Sequence, residues 1–243
     1  MKKGRFKMQI TVFVTSKYLK AGELADKTAV VIDVLRTSST IVTAVQNECR
    51  IIPAVSPNEA AKIKKASSGD VLLGGEIDFK KIQGFDLGNS PLEYNEKSIS
   101  EKTIILSTAD GSVAVKKCDE AAEVLIGAIL NAQAVAQRIL DIGRETYLVC
   151  AGTRGKFSTD DVIAAGCILD RIVKMDDSVE MDDLGRVALK MYRKAKENLM
   201  AAFEGCMHYE YLVSIGLQKD VEFCLQEDLF AVVPVYNEGI ITK

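Results

Sequence analysis

The chain has 243 residues, of which 48% are hydrophobic and 27% charged, and its formal net charge at neutral pH is −3. This balance is typical of a globular protein, and the weakly acidic character argues against a nucleic-acid or membrane partner. No Ser/Gly/Pro-rich linker divides the sequence, so we expect one α/β domain over residues 1–243, or two closely packed lobes.

The six cysteines have wide, irregular spacings and form no C-x-x-C pair. This pattern favours reduced, buried thiols in a cytoplasmic protein over a disulfide framework or a structural zinc site. The N-terminus is basic, but no apolar stretch of the length of a signal peptide or a membrane span follows it. We therefore expect neither a signal peptide nor a transmembrane segment.

Runs of β-type residues alternate with helix-like patterns along the chain. The pattern predicts strands at 9–14, 30–33, 50–55, 70–73, 103–107, 123–126, 146–150 and 230–235. It predicts the main helices at 38–48, 56–67, 132–142, 158–172, 184–203 and 205–216. Such alternation is typical of a three-layer α/β/α fold with a largely parallel or mixed central sheet. Right-handed crossovers would place the strand-to-helix loops at the carboxyl edge of the sheet, where open α/β sheets bind ligands.

The segment at residues 28–45 has the most informative order of residues. An apolar run ends at Asp33, and then come Arg36, four hydroxyl residues and a helix-like pattern. A helix N-terminus and a guanidinium together suit an oxyanion, and Asp33 could hold a divalent metal beside it. The alternative is a capped strand-to-helix turn with a surface arginine, and this segment alone does not decide between the two.

Three further loops follow predicted strands and carry acidic, hydroxyl or glycine residues. These residues are Glu76, Asp78, Asp86, Asn89 and Ser90 in the second loop, Thr108, Asp110, Gly111 and Ser112 in the third, and Thr153, Arg154, Gly155, Ser158 and Asp161 in the fourth. Carboxylates with arginines and helix N-termini could form a Mg²⁺-assisted phosphoryl-transfer site. Structural alternatives remain: Asp110 could belong only to a turn, Asp161 could form a capping box with Ser158, and Asp86 could only order its own loop.

Several common phosphate-handling motifs are absent. The sequence has no G-x-x-x-x-G-K-[ST], no G-x-G-x-x-G after a strand and no C-x-x-x-x-x-R cradle. The aspartyl-nucleophile phosphatase pattern is half met, because Leu35 stands where a second aspartate is required. The single histidine, His208, does not lie at a predicted strand-to-helix turn. These absences exclude a cysteine phosphatase and make a nucleotide P-loop or a dinucleotide site unlikely. They leave the aspartyl-phosphatase pattern half met and do not exclude phosphatase activity.

The four loops and a C-terminal stretch together resemble the 2-phosphosulfolactate phosphatase family. The matching stretches are IDVLRTSSTIVTA, LGGEIDFKKIQGFDLGNSPLE, STADGSVA, CAGTRGKFSTDDVIAAG and HYEYLVSIGLQKDVEFCLQEDLFAVVPV, which span roughly residues 28–235. The resemblance implies a Mg²⁺-dependent phosphatase that hydrolyses 2-phospho-3-sulfolactate to 3-sulfolactate and phosphate, a step of coenzyme M biosynthesis. It also implies a three-layer α/β/α fold unrelated to the common phosphatase folds.

The loops and the resemblance together give three groups of candidate site residues. We expect Mg²⁺ to be held by Asp33 with Glu76 or Asp86, and Asp161 or His208 to be the general acid. We favour direct attack by water over an aspartyl-phosphate on Asp33. The candidates for binding the small anionic substrate are Arg36, Thr37, Ser38, Ser39, Asn89, Ser90, Thr108, Asp110, Gly111, Ser112, Thr153, Arg154, Gly155 and Ser158.

Two departures from the family pattern bear on the substrate. Ile77 stands where the family often has an arginine, and Asp110 stands where it has an asparagine. A non-catalytic binding protein, or an isomerase or lyase for a similar phosphorylated or sulfonated acid, is the alternative to a phosphatase. The sequence leaves the oligomeric state open, including a homo-oligomer.

Overall fold

A computed structural model of the chain describes residues 8–94 and 99–243. The first seven residues of the basic N-terminus, discussed above, lie outside this description. The strands are β1 (Gln9–Phe13), β2 (Thr28–Ile32), β3 (Arg50–Ala54), β4 (Val71–Ile77), β5 (Lys80–Lys81), β6 (Thr103–Ser107), β7 (Glu123–Gly127), β8 (Thr146–Cys150), β9 (Glu180–Met181), β10 (Val235–Asn237) and β11 (Ile240–Thr242). The α-helices are α1 (Thr37–Gln46), α2 (Pro57–Ala66), α3 (Gly111–Lys117), α4 (Ala132–Ile142), α5 (Thr159–Met175), α6 (Asp183–Ala195), α7 (Leu199–Phe203), α8 (Met207–Ser214) and α9 (Gln218–Cys224).

The strands form one mixed sheet in the order β5-β4-β6-β3-β11-β10-β7-β2-β8-β1-β9. The group β4, β6 and β3 pairs in parallel, and so does the group β7, β2, β8, β1 and β9. The C-terminal hairpin of β10 and β11 joins the two groups through antiparallel pairing on both sides. The predicted α/β class with a mixed, mostly parallel sheet flanked by helices is therefore confirmed.

Helix α1 lies in the interior of the protein. Every residue from Thr37 to Val45 is buried, and the helix contacts both β3 and β7. The apolar core around it takes Ile51 from one strand group and Val31 from the other. Since the helix packs against both strand groups, its N-terminus and the hydroxyl residues of its first turn lie inside the protein.

The structure confirms several predicted elements and corrects two. The predicted bounds of β6, β8 and α4 match the structure. The strand predicted at 230–235 is wrong, because β10 begins only at Val235 and the segment before it is irregular; Pro234 has no N–H to donate to a ladder. The single helix predicted at 184–203 is also wrong. It divides into α6 and α7, and the Asn198 side chain caps α7 by accepting from the Ala201 N–H.

All six cysteines lie within the described residues, and each is buried and free of a disulfide, as their spacing predicted. In the ranges 8–94 and 99–243, no helix is both long enough and apolar enough to cross a bilayer.

Helices α5 and α6 pack closely at Gly166. A Cβ atom added to Gly166 would lie 2.1 Å from the Ala188 carbonyl oxygen and 2.8 Å from the Tyr192 Cβ. Because these neighbours belong to helix α6, the fold needs a residue without a side chain at this position.

Gly166→Ala is expected to lower the free energy of unfolding by about 1–3 kcal/mol through overpacking. Helix propensity alone would change it in the opposite direction by about 1 kcal/mol. Urea denaturation measures the difference, with Val187→Ala at an exposed position of α6 as the control that changes it by less than about 0.5 kcal/mol. Stabilisation by Gly166→Ala would contradict the close packing.

Candidate active site

Residues from all four loops that the sequence singled out, together with helix α8, surround one cavity of about 50 Å³. We call it the Asp33 cavity. Its lining residues are Asp33, Leu35, Thr37, Glu76, Asp78, Phe79, Thr108, Ala109, Asp110, Thr153, Arg154 and His208. The cavity thus combines four carboxylates with one imidazole and one guanidinium.

Asp33 follows β2 directly and is 6% exposed. The turn after it is held locally, since the Asp33 N–H donates to Ser38 Oγ at 3.1 Å and the Ser38 N–H donates back to the Asp33 carbonyl at 2.8 Å. Burial raises the pKa of the Asp33 carboxyl to about 7, against the lowering effect of His208, and the nearby Asp110 and Glu76 carboxylates add to the rise. A cation in the cavity would relieve this repulsion.

His208 is buried on α8, and both of its ring nitrogens have partners. Nδ1 lies 2.9 Å from an Asp160 carboxylate oxygen, and Nε2 lies 3.0 Å from Thr153 Oγ1. Burial opposes the charged form, but the hydrogen bond and charge of Asp160 outweigh it and raise the pKa of His208 to about 9, with further help from Asp33 and Asp161. The imidazole is therefore protonated at neutral pH, and both nitrogens donate.

The hydroxyl groups beside His208 form a consistent donor chain. Nε2–H donates to Thr153 Oγ1, which lies 3.0 Å from Ser158 Oγ. Ser158 Oγ in turn donates to the second oxygen of Asp160. Asp160 thus accepts from both His208 and Ser158 and fixes the position of the imidazolium. Asp160 is not among the residues predicted from the sequence, where its only signal is the pair of aspartates at the start of α5.

Asp161 is fully buried and connects two of the loops. Its carboxylate accepts from the Val34 N–H and the Gly152 N–H, each at 3.0 Å. Burial raises its pKa well above the ordinary value, and Asp160 adds to this. The predicted capping box with Ser158 is wrong, because Ser158 makes no side-chain cap bond to the helix. Asp161 does not line the cavity, so the geometry favours His208 over Asp161 as a proton donor.

Arg36 faces a neighbouring compartment instead of the Asp33 cavity. It is 3% exposed, and it pairs through Nη1 with Asp220 at 2.5 Å and through Nη2 with Glu76. It lines a groove of about 330 Å³, the Arg36 groove, together with Phe79, Lys80, Lys81, Gly88, Asn89, Ser90, Glu93, Ile215 and Leu217. Phe79 lines both compartments. Asp220, which lies on α9, is likewise not among the residues predicted from the sequence.

Asn89 and Ser90 accompany Arg36 as predicted substrate-binding residues of the second loop. The Asn89 amide donates to Glu76 at 2.9 Å, and the Ser90 hydroxyl donates to Asp220 at 2.8 Å. Both carboxylates that hold Arg36 are therefore fixed by further hydrogen bonds. The structure brings these residues together, but around the groove and not the cavity.

Some hydroxyl residues of the first and third loops line the cavity, and the others stabilise the turns around it. Thr37 and Thr108 line the cavity and are 3.3 Å apart through their hydroxyl oxygens. The Ser39 hydroxyl donates to the Val34 carbonyl at 2.8 Å, and the Ser112 hydroxyl accepts from the Thr108 N–H at 3.2 Å. Ser39 and Ser112, like Ser38, thus stabilise the turns.

Gly111 leaves room for the Asp33 carboxylate. A Cβ atom added at this position would lie 2.4 Å from Asp33 Oδ2 and 2.5 Å from Thr37 Cβ. Gly155 adopts a positive φ of 69° in the fourth loop and does not line the cavity. The first glycine is therefore needed for close approach and the second for its backbone conformation.

Two remaining candidates, Arg154 and Asp86, are exposed. Arg154 bridges to Asp78 at 2.9 Å, and its N–H donates to Asp110 at 3.0 Å, which connects the loops at the mouth of the cavity. Asp86 accepts from the Leu73 N–H at 2.7 Å, and this bond lowers its pKa. Because Asp86 lines neither compartment, the structure does not bring it to Asp33.

Comparison with known proteins adds an independent observation. The family model described as 2-phosphosulpholactate phosphatase matches residues 13–239. The chain belongs to the 2-phosphosulfolactate phosphatase family. Similar proteins include probable 2-phosphosulfolactate phosphatases of Clostridium acetobutylicum, with 38% identity over 96% of this chain and 100% of that protein, and of Clostridium tetani, with 37% identity over 96% and 100%. The relative from Caldanaerobacter subterraneus subsp. tengcongensis has 39% identity over 96% of this chain and 98% of its own length.

Mg²⁺ is the cation that the resemblance to this family implies. Within residues 8–94 and 99–243, no group of three or more His, Cys, Asp or Glu side chains has the arrangement of a metal site. Mg²⁺, however, is usually bound by only one or two carboxylates, with water and substrate phosphate as its other ligands. Asp33, Glu76 and Asp110 line one small cavity in which the carboxylates repel one another. Asp33 with one of these two neighbours therefore fits a magnesium ion whose other ligands are water and phosphate.

The sole histidine of the chain allows a direct test of the His208–Asp160 pair. In proton NMR, the His208 ring signal is expected to titrate with a pKa of about 9 in the wild-type protein. In Asp160→Asn the pKa is expected to fall towards the ordinary histidine value of about 6.5, because the carboxylate charge is removed.

Glu210→Gln is the control, since Glu210 lies on the same helix and contacts the Gly205 N–H, not His208. A pKa near the ordinary value in the wild-type protein would contradict the charged pair.

Proposed function

We propose that this protein is a Mg²⁺-dependent phosphomonoesterase that converts 2-phospho-3-sulfolactate to 3-sulfolactate and phosphate. The observation that carries the proposal is the placement of Asp33 and a doubly hydrogen-bonded His208 in one cavity. The family match over residues 13–239 supports the choice of reaction. The names of the relatives support the choice of substrate.

Asp33 is the residue we assign to the cation, with Glu76 or Asp110 beside it. Glu76 already accepts from Arg36 and Asn89, so its position is fixed before a cation binds. When bound, Mg²⁺ would neutralise charge on the phosphoryl oxygens. It would also favour the ionised form of Asp33, whose pKa is raised to about 7 by burial and by its acidic neighbours.

His208 is the proton donor to the leaving group. Its Nε2 proton, which Thr153 accepts in the structure, passes to the oxygen on C2 as the ester P–O bond breaks. Asp160 keeps the imidazolium in place through Nδ1. Protonation avoids the release of an alkoxide, which is a poor leaving group.

A water molecule supplies the oxygen of the new P–O bond. Water attacks phosphorus, the bond to the C2 oxygen breaks, and the products are the free hydroxy acid and dihydrogen phosphate. The latter returns one proton to the neutral imidazole of His208, so that the enzyme is restored. The hydroxyl groups of Thr37 and Thr108, which line the cavity, would contact the phosphoryl oxygens.

Phosphate release from 2-phospho-3-sulfolactate tests the proposal. The wild-type protein is expected to release phosphate with Mg²⁺ and to lose this activity in EDTA, with recovery when Mg²⁺ is added back. Asp33→Asn is expected to lower kcat/KM by about a thousandfold or more, because it removes charge from the cation site.

Asp86→Asn is the matched variant from a carboxylate outside the cavity, and its kcat/KM should stay within a few fold of wild type. The assignment fails if EDTA has no effect, or if the two variants lose activity equally. Absence of phosphate release with Mg²⁺ present would instead favour a binding protein, an isomerase or a lyase.

The pH dependence of kcat/KM tests the role of His208, because this parameter reports the pKa values of the free enzyme. A required proton donor is active below its pKa and is lost as the pH rises through it, so kcat/KM should fall above a pH of about 9. In Asp160→Asn this alkaline limb should move down towards about 6.5, the ordinary pKa of histidine. Stopped-time phosphate assays from pH 6 to 10 measure the alkaline limb of the wild-type protein and of the variant. An alkaline limb that does not shift in the variant would exclude His208 as the donor.

A further inference from the structure

The Asp33 cavity is small compared with the proposed substrate. Its volume is about 50 Å³, and a single water needs about 10–15 Å³ of such volume. This space suits a phosphoryl group, but the substrate also carries a carboxylate and a sulfonate. At least one of these acidic groups must therefore lie outside the cavity.

The Arg36 groove is the neighbouring compartment, and its volume is about 330 Å³. It shares Phe79 with the cavity, so a ligand that passes this ring can occupy both. Three cationic side chains line the groove, Arg36, Lys80 and Lys81, together with one carboxylate. That carboxylate, Glu93, already accepts from the Gly88 N–H at 2.9 Å. Arg36 is balanced by its ion pairs with Glu76 and Asp220, so the two lysines supply the excess positive charge. The groove thus has the opposite charge balance from the acidic cavity.

Two buried polar atoms of the groove residues lack a partner within the described parts of the chain. Arg36 uses both terminal nitrogens in ion pairs, but its Nε has no acceptor. Asn89 is 1% exposed and its Oδ1 has no donor. Buried polar atoms are rarely left without partners in native proteins, because a buried donor or acceptor without a hydrogen bond has lost its contact with water and gained nothing in return. Because both residues line the groove, an oxyanion bound there with its water could supply an acceptor for Nε and a donor for Asn89.

We infer that the Arg36 groove is a second anion subsite of the same active site and receives the sulfonate of the substrate while the phosphoryl group occupies the Asp33 cavity. The inference rests on the proposed function. The carboxylate is bonded to the same carbon as the phosphate ester, and carboxylate oxygen is a preferred ligand of Mg²⁺. The carboxylate therefore stays on the cation side, and the sulfonate, one carbon further away, reaches the groove.

Lys80 and Lys81 provide the test, because they lie at the exposed rim of the groove and their removal leaves the buried Arg36 pairs intact. The substrates are 2-phospho-3-sulfolactate and 2-phospholactate, which lacks the sulfonate. In Lys80→Gln/Lys81→Gln, KM for the sulfonated ester should rise about tenfold or more, because charge-assisted contacts to the sulfonate are lost. KM for 2-phospholactate should change less than about threefold, since that ester places no anion in the groove.

Lys62→Gln/Lys65→Gln is the matched control. It removes the same charge from exposed positions of α2 that line neither compartment, and it should leave both KM values near wild type. Equal effects of the groove variant on the two esters would overturn the subsite, and so would no effect on either.

A binding measurement separates failure of the subsite from failure of the proposed function. In calorimetry with EDTA present, the wild-type protein should bind 3-sulfolactate more tightly than lactate, and the groove variant should lose this preference. If neither ester is hydrolysed but the preference is present and is lost in the variant, the phosphatase proposal fails and the subsite stands. If the wild-type protein shows no preference, the subsite is excluded whatever the catalytic result.

Discussion

The buried guanidinium of Arg36 is the interaction on which the arrangement of the candidate site depends. It follows β2 and is held between Glu76 of β4 and Asp220 of α9. Both carboxylates are fixed in turn by Asn89 and Ser90. A charge taken from water needs such partners, and loss of one partner of a buried pair typically costs about 3–5 kcal/mol. Three distant segments of the chain are therefore tied together at one point, and the ion pairs separate the Asp33 cavity from the Arg36 groove.

Asp161 has a comparable role on the other side of Asp33. By accepting from the backbone of the loops after β2 and β8, it sets the distance between Asp33 and the loop that carries Thr153. The adjacent Asp160 points to His208 instead. Two neighbouring aspartates at the start of α5 thus have different functions: one fixes the backbone of the site, and the other holds the imidazolium in position.

The parts of this structure that the sequence predicted are those set by local patterns. Hydrophobic periodicity predicted the bounds of strands β6 and β8 and of helix α4. Gly143, which adopts a left-handed conformation, marks the end of α4. The two-residue strands β5 and β9 exist only through pairing, so no local pattern marks them. The same holds for the site: polar residues after strands identified the loops, but the direction of Arg36 depends on Asp220, which lies 184 residues away. Asp86 is a carboxylate in the expected loop, but its hydrogen bond from the Leu73 N–H keeps it away from the Asp33 cavity.

The separation of the two compartments gives the site a division of charge. The Asp33 cavity has four carboxylates against His208 and Arg154, so a phosphomonoester dianion is repelled there until a cation is present. In the groove, Arg36 is balanced by Glu76 and Asp220, and Lys80 and Lys81 stand against Glu93, so under the proposal the two lysines attract an anionic group without a cation. In the proposed function, recognition of the acid and activation of the ester thus depend on different residues. A phosphate ester without a second acidic group would interact only with the cavity and its cation, and the groove would not add to its binding. Under the proposal, selectivity for a sulfonated substrate would depend on the positions of Lys80 and Lys81 in the hairpin of β4 and β5, and not on the residues that perform the chemistry.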